Sequence, residues 1–503
     1  HRPFRRQRQM CIRDRLTIND RDAEIAKRLL TEISTRIDFL VNVGLSYLNL
    51  NRVSGTLSGG ESQRIQLATS LGSALVGSLY ILDEPSIGLH PQDAYQLIEI
   101  IRALRDKGNT VIVVEHEEAF MRAANYLIDI GPAAGNLGGE IVACGLPEDV
   151  LSHESSLTAG YLTGRLGIPF PESLRKPKGN ITLEGVRQHN LKGFDVSIPL
   201  GVFTVVAGVS GSGKSTLVKK ILYPALKKHL EQVGERPGLH KAMTGDIDSV
   251  DHVEMVDQNP IGKSSRSNPV TYLKVYDDIR NLYANTELSK VRGYKAKHFS
   301  FNTDGGRCDS CKGEGEVTIE MQFMADVHLP CEDCNGNRFK SEILEIKVSD
   351  KSISDILHCT IDEAIEFFKQ IKQTKIATKL QPLQDVGLGY AHVGQSSSTL
   401  SGGEAQRVKL AYFLSKGEKS GKTLFLFDEP TTGLHFDDVK KLLKALNALV
   451  NMGHSVLVIE HDLDVILRAD YLIEIGPEGG EHGGQLLYTC LLYTSDAADE
   501  MDG

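Results

Sequence analysis

The residues best suited to chemistry in this sequence fall into three groups. In the first, Gly208-Val209-Ser210-Gly211-Ser212-Gly213-Lys214-Ser215-Thr216 follows the β-branched apolar run Phe203-Thr204-Val205-Val206-Ala207. A strand that turns through glycines into a helix lets successive backbone N–H groups face phosphate oxygens, and the helix N-terminus adds a favourable dipole. Lys214 would reach the β- and γ-phosphates, and the Ser215 hydroxyl would ligate Mg2+. In the second group, the apolar run Leu424-Phe425-Leu426-Phe427 ends in Asp428-Glu429, His461 follows Val456 to Ile459, and Gln258 follows Val253 to Val256. Acids at the carboxyl end of a strand sit beside a phosphate loop, so Asp428 can hold the Mg2+ shell and Glu429 can polarise the attacking water. His461 would contact the γ-phosphate or orient that water, and Gln258 would sense the metal or the water. The third group is Cys308-x2-Cys311 and Cys331-x2-Cys334, with 19 residues between the pairs. Two thiolate pairs on glycine-bearing knuckles (Gly313, Gly315, Gly336) make the soft tetrahedral set that Zn2+ prefers, with no position left for water. Cys144 and Cys359 lack such partners and read as small buried residues.

Much of this chemistry occurs twice. Leu57-Ser58-Gly59-Gly60-Glu61-Ser62-Gln63-Arg64 returns 343 residues later as Leu400-Ser401-Gly402-Gly403-Glu404-Ala405-Gln406-Arg407. Asp83-Glu84-Pro85 returns as Asp428-Glu429-Pro430, and Glu115-His116 as Glu460-His461, both at an offset of 345. So long a period means duplicated domains and not a solenoid. The equivalent of the Lys214 loop would fall before residue 1, so the sequence reads as a piece that begins inside its first unit.

The elements that must position these groups give an α/β chain of several domains, since single cores rarely exceed roughly 250 residues. Residues 16–165 read as the later part of a first ATPase unit, incomplete for want of its phosphate loop, and 166–180, rich in Pro and Gly, as a linker. The second unit would comprise 181–260 and 399–487, interrupted by an insertion at 261–398 that carries the cysteines. Residues 1–15 and 488–503 are alien in composition and read as non-native termini outside the fold. With 41% hydrophobic and 24% charged residues, no apolar window of about 18 residues and no apolar stretch after the basic start, the chain reads as cytoplasmic, without membrane contact. Its net charge of −10 excludes a surface basic all over. One local exception stands out: ten Lys/Arg against five acids from Lys263 to Lys312, interleaved with Tyr272, Tyr276, Tyr294 and Phe299. That pattern suits contact with a nucleic-acid backbone, with Lys263, Arg266, Arg292, Lys295 and Lys297 as candidates.

Leu-Ser-Gly-Gly-Glu-x-Gln-Arg followed by Asp-Glu-Pro and a later His resembles the ABC ATPases. The fold so implied is a pair of tandem ABC-type P-loop units, the first incomplete, the second with an inserted zinc-containing signature domain. The resemblance implies that Ser58, Gly59 and Gly60 cap ATP held by Lys214, Asp428, Glu429 and His461. A second, incomplete site would join Asp83, Glu84 and His116 to Ser401, Gly402 and Gly403. The cysteine module inserted between phosphate loop and signature, the segment Asp257-Gln258-Asn259-Pro260-Ile261-Gly262-Lys263-Ser264-Ser265-Arg266-Ser267-Asn268-Pro269, and the Gly-Leu-His at 88–90 and 433–435 narrow this further. Together they resemble the UvrA family, damage-sensing subunits of bacterial nucleotide excision repair. That resemblance implies a dimeric ATPase that does not itself cut DNA, uses ATP, Mg2+ and Zn2+, binds damaged double-stranded DNA and loads a UvrB partner. The segment that binds UvrB would lie upstream of this sequence. A UvrA-like paralogue in drug tolerance, or another soluble ABC ATPase, are the alternatives.

Overall fold

The structure, a computed structural model, describes residues 20–492 apart from 46, 47, 49, 55–58, 73–75, 90, 263–265, 320, 322–326 and 418–420. The chain divides into two compact units. The first contains the residues up to Asn125 together with Gly208–Gly213 and Gly476–Gly484; the second contains Tyr126–Ala207, Lys214–Ile475 and the stretch from Gln485 onward.

In the first unit, strands β1 (Leu79–Asp83) and β2 (Thr110–Val114) pair in parallel. Helices Asp20–Leu40, Gly59–Gly72, Pro91–Asp106 and Glu118–Ala123 accompany them. Alternation along the strands decides what they bury. Tyr80, Leu82, Val111 and Val113 pack against a core of Leu67, Leu97, Ile98, Leu104 and Phe120. The opposite face, Leu79, Ile81, Ile112 and Val114, is exposed.

The second unit holds β3 (Leu127–Gly131), β4 (Glu140–Gly145), β5 (Asn180–Val186), β6 (Phe194–Pro199), β7 (Phe203–Ala207), β8 (Ala242–Gly245) and β9 (His252–Val256). The insertion adds β10 (Glu316–Ile319), β11 (Val327–Pro330), β12 (Lys347–Val348) and β13 (Lys351–Ser352). After it come β14 (Thr423–Asp428), β15 (Ser455–Ile459), β16 (Tyr471–Gly476) and β17 (Gln485–Leu491). The main sheet has the order β17-β16-β7-β15-β14-β9, and the pairs β16–β7, β7–β15, β15–β14 and β14–β9 are parallel. Such strands are covered on both faces, which is why β7, β14 and β15 are near-continuous apolar runs. One face packs on Leu217, Val218, Ile221 and Leu222 of the helical segment after the phosphate loop, which the antiparallel sheet β6-β5-β8 covers in turn. On the other face, Phe425 and Phe427 join Leu442 and Leu446 of helix Phe436–Asn451.

The insertion is not an island. Phe299, Phe301, Phe339, Phe368 and Leu380 belong to the same core as Phe425 and Phe427. Its helices start on local signals: Ser352 with Asp355 and Thr360 with Glu363 form reciprocal capping boxes. Two details depart from expectation. Cys144 is exposed, lying on the two-stranded β3–β4 ribbon; Cys359 is buried as expected. Strand β17 runs to Leu491, past the boundary drawn at 487. Among the described residues, no helix is long and apolar enough to cross a membrane.

Candidate nucleotide site and cysteine centre

The sheet order fixes the site. Because β15 lies between β7 and β14, the carboxyl ends of three parallel strands deliver Lys214, Asp428-Glu429 and Glu460-His461 to one edge. Ligands of open parallel sheets bind at such edges. The loop before Lys214 uses its glycines: Gly208, Gly211 and Gly213 have φ of 137°, 76° and 115°, a region open to glycine but strained for other residues. Within the first unit this loop is held from outside, as Gly480 N donates to Gly211 O at 3.0 Å and Ser210 Oγ donates to Gly88 O at 2.9 Å.

In the second unit Lys214 is buried, whereas Ser215 at the head of the helical segment is exposed. Asp428 accepts a hydrogen bond from Lys219 Nζ. Burial raises the Asp428 carboxyl above its ordinary range, and the Lys219 charge opposes that. Glu429 behaves in the opposite way. Burial disfavours its charge, but the hydrogen bond and charge of His461, with Lys214 and Lys219, hold it below the usual carboxylate range. It is thus an anion at neutral pH, as a group that polarises water must be. His461 Nε2 stands 3.6 Å from Glu429 Oε1, and Gln258 Nε2 donates to Glu429 O at 3.3 Å. Glu429 has φ 46°, a left-handed conformation that costs a non-glycine residue about 1–2 kcal/mol, and its N–H donates to Ile459 O at 2.9 Å.

The first unit repeats this geometry. Glu84 has φ 45°, donates to Val114 O at 2.9 Å, and has its Oε1 3.6 Å from His116 Nε2. Asp83 precedes it at the end of β1. The same acid is thus held in a strained conformation in both copies. The signature segment Ser401-Gly402-Gly403 opens helix Gly402–Lys416, where Ser401 Oγ accepts from Glu404 N at 3.1 Å and Ser401 N donates to Glu404 Oε2 at 2.8 Å. Gln406 of this helix donates to Val256 O and Asp428 O, tying the signature to the acid strand. In the first copy Gly59 opens the equivalent helix, while Ser58 lies outside the described residues.

Sequence reasoning passed over two groups. Lys219 pairs with Asp428 across 209 residues, a partnership no local pattern reveals. Glu460 is fully buried beside the site, and its carboxylate accepts from Thr431 N, Thr431 Oγ1 and His461 N at 2.9, 2.7 and 2.8 Å. The signal for it was available: Glu precedes His in both copies. Burial, then the nearby Asp462 charge, push the Glu460 carboxyl up to about 7, against the pull of the hydrogen bonds it accepts.

The four cysteines of the insertion converge as the spacing requires. Their sulfur atoms all lie within 4.8 Å of one another, with Cys311–Cys334 at 3.7 Å and Cys308–Cys331 at 4.0 Å. Four sulfurs on a tetrahedron with Zn–S bonds of about 2.3 Å would be about 3.8 Å apart, so the cage fits zinc. Each pair is followed by two left-handed residues, Lys312-Gly313 and Asn335-Gly336, which turn the backbone back toward the sulfurs; Gly315 N donates to Cys311 Sγ at 3.3 Å. Of the basic candidates, Arg266 pairs with Glu314 at 3.4 Å and Arg292 with Glu345 at 2.5 Å, whereas Lys295 and Lys297 are exposed. Lys263 lies outside the described residues.

Comparison with known proteins agrees with this geometry. Residues 3–122, the stretch holding the first signature, Asp83-Glu84 and His116, match a family model described as "AAA domain, putative AbiEii toxin, Type IV TA system". The chain is 54% identical over 473 residues to UvrABC system protein A of Clostridium tetani, covering 94% of this chain and 50% of that protein. It is equally similar, 54% over 473 residues, to UvrABC system protein A of Bacillus subtilis, with 94% and 49% covered. Among solved structures, UvrA2 from Deinococcus radiodurans superposes with a TM-score of 0.88 at 43% identity, covering 95% of this chain and 57% of that one. The chain therefore has the α/β P-loop ATPase fold of UvrA, with a four-cysteine centre inserted, and spans about half the length of the curated relatives it matches.

Proposed function

We infer that this UvrA-like chain is an ABC-type ATPase of DNA repair, coupling ATP hydrolysis to the handling of damaged duplex DNA. The observation that carries the reading is the convergence of Lys214, Asp428, anionic Glu429 and His461 at one sheet edge, with the acid–histidine geometry repeated in the first unit. In this reading the amides of 208–213 and the Lys214 ammonium bind the β- and γ-phosphates. Mg2+, held by Ser215 and Asp428 with Gln258 beside them, would neutralise charge on the transferred phosphoryl group. Glu429 orients and polarises the attacking water, and His461 keeps that carboxylate and the γ-phosphate in register. Lys219 balances the Asp428 charge within the same pocket.

Ser58, Gly59 and Gly60 close this site in trans, and Ser401, Gly402 and Gly403 serve the Asp83, Glu84 and His116 site. The zinc centre is structural, holding the basic insertion that contacts DNA through its phosphates. A UvrB partner, a homodimer and a cytoplasmic location complete the proposal, as the resemblance to the UvrA family implies. The test is Lys214→Ala. Losing the charge-assisted contacts to phosphate, each worth roughly 1.5–3 kcal/mol, should lower kcat/KM for ATP at least about a hundredfold. Turnover equal to the parent would overturn the assignment of the site.

A further inference from the structure

His461 sits on a short loop, and what holds that loop is the buried Glu460 carboxylate. Its Oε1 accepts from Thr431 N at 2.9 Å and Thr431 Oγ1 at 2.7 Å, on the turn directly after Asp428-Glu429-Pro430. Its Oε2 accepts from His461 N at 2.8 Å and Asp462 N at 3.3 Å. One side chain therefore clasps two loops that are 29 residues apart in sequence. The first unit builds the same clasp independently. Ser86 N and Ser86 Oγ donate to Glu115 at 2.8 and 2.9 Å, and His116 N and Glu117 N donate to it at 3.1 and 3.4 Å. Ser86 also begins the turn whose Gly88 carbonyl accepts from Ser210 of the phosphate loop. A buried acid is an expensive way to hold two loops if only rigidity is needed, since apolar packing would serve. Its recurrence, with Thr exchanged for Ser but both hydroxyl and amide donors kept, points to a role tied to the loops it joins.

We propose that Glu460, and Glu115 in the first copy, are positioning residues that lock the histidine loop to the turn after Asp-Glu-Pro, so that the histidine meets the γ-phosphate only when that turn is in place. In the first copy the clasped turn, Ser86–Leu89, is the one whose Gly88 carbonyl accepts from Ser210 within the same unit. The inference rests on the reading of Lys214, Glu429 and His461 as an ATP site.

The experiment compares the parent with Glu460→Gln, Glu460→Asp and Thr431→Val, using fluorescent ADP and ATPγS analogues, steady-state ATP hydrolysis and thermal unfolding. Because His461 addresses the γ-phosphate alone, Glu460→Gln should leave ADP affinity within about twofold while the preference for ATPγS over ADP falls severalfold. Turnover should fall about tenfold or more in kcat, with KM for ATP changed less than about threefold. Glu460→Asp, which keeps the carboxylate, should regain part of both. Thr431→Val keeps the acid and the fold, loses one donor, and should show a smaller loss of the same kind; it carries the test if Glu460→Gln does not fold. A parent that binds neither nucleotide overturns the site reading and this inference with it. A parent that binds both, with variants whose nucleotide preference and kcat are unchanged or whose ADP and ATPγS affinities fall together, overturns the positioning role alone.

Discussion

Replacing Glu460 by glutamine should change how stability depends on pH, in a direction that the structure dictates. The Glu460 carboxyl is displaced from an ordinary value of 4.5 to about 7, first by burial and then by the Asp462 charge. Between these values the folded chain keeps a proton that the unfolded chain has released. The unfolded state then binds fewer protons, so stability falls as pH rises from about 4.5 to about 7, and the loss is complete above that. A displacement of roughly 2.5 units at about 1.4 kcal/mol per unit gives a ceiling of about 3 kcal/mol. Glutamine has no such titration. Whatever fixed penalty its amide incurs by facing the N–H groups of Thr431 and His461, the stability of the variant relative to the parent should climb by up to about 3 kcal/mol between pH 4.5 and 7.5. Asp462, also raised by burial first and by Asp464 next, titrates in both proteins and largely cancels. Urea unfolding followed by circular dichroism at pH 5, 6, 7 and 8 measures the difference. A difference that is flat or falls with pH would show that the hydrogen bonds Glu460 accepts outweigh its burial and keep it ionised throughout, refuting the reasoning.

Three further outcomes are expected. Metal analysis should give one zinc per chain, lost in the double variant Cys308→Ser with Cys331→Ser; metal retained at the parental level would remove the cysteine cage from consideration. Ser58→Arg should leave ADP binding intact and abolish ATP turnover, because the added side chain fills the space of the γ-phosphate in a site closed in trans; parental turnover would mean the two copies do not pair. Neutralising Lys295 and Lys297 together should weaken duplex binding and lower the salt slope by about two, and adding Arg266 and Arg292 should contribute less, as both already face a carboxylate. A slope that does not move would place the DNA surface elsewhere.

The phosphate loop, the acid strand and the cysteine cage were legible because each is a local pattern whose chemistry depends on short spacing. Phe203–Ala207 and Leu424–Phe427 are apolar throughout because parallel strands are buried on both faces, and that alone placed Lys214 and Asp428 at strand ends. What stayed hidden depends on order in space. Nothing in the sequence says that β15 lies between β7 and β14, or that Lys219 meets Asp428. The insertion looked separable because its sequence has no counterpart in the first copy, yet Phe299 and Phe368 share a core with Phe425. Cys144 was misjudged because its residue type was weighed and its strand face was not.

Duplication turns the chain into its own comparison, and the positions that agree between copies separate geometry set by function from geometry set by surroundings. Glu84 and Glu429 agree within a degree in φ and stand at equal distance from His116 and His461. Leu79, Ile81, Ile112 and Val114 do not agree with their equivalents: the first four are exposed, whereas Leu424, Leu426, Leu457 and Ile459 are buried beneath Leu217, Val218 and Ile221. Enclosure of the histidine differs too, the side chain of His461 being 10% exposed and that of His116 37%, whereas Glu429 and Glu84 are each 27% exposed. A conformation that costs about 1–2 kcal/mol is thus kept at an equally enclosed acid in both copies, although one face of the strand that carries it is covered in the second copy alone. Both copies also keep the hydrogen bond from the acid's own N–H to the neighbouring strand and the carboxylate clasp on the histidine loop, so the strained acid and the contacts around it recur as one unit.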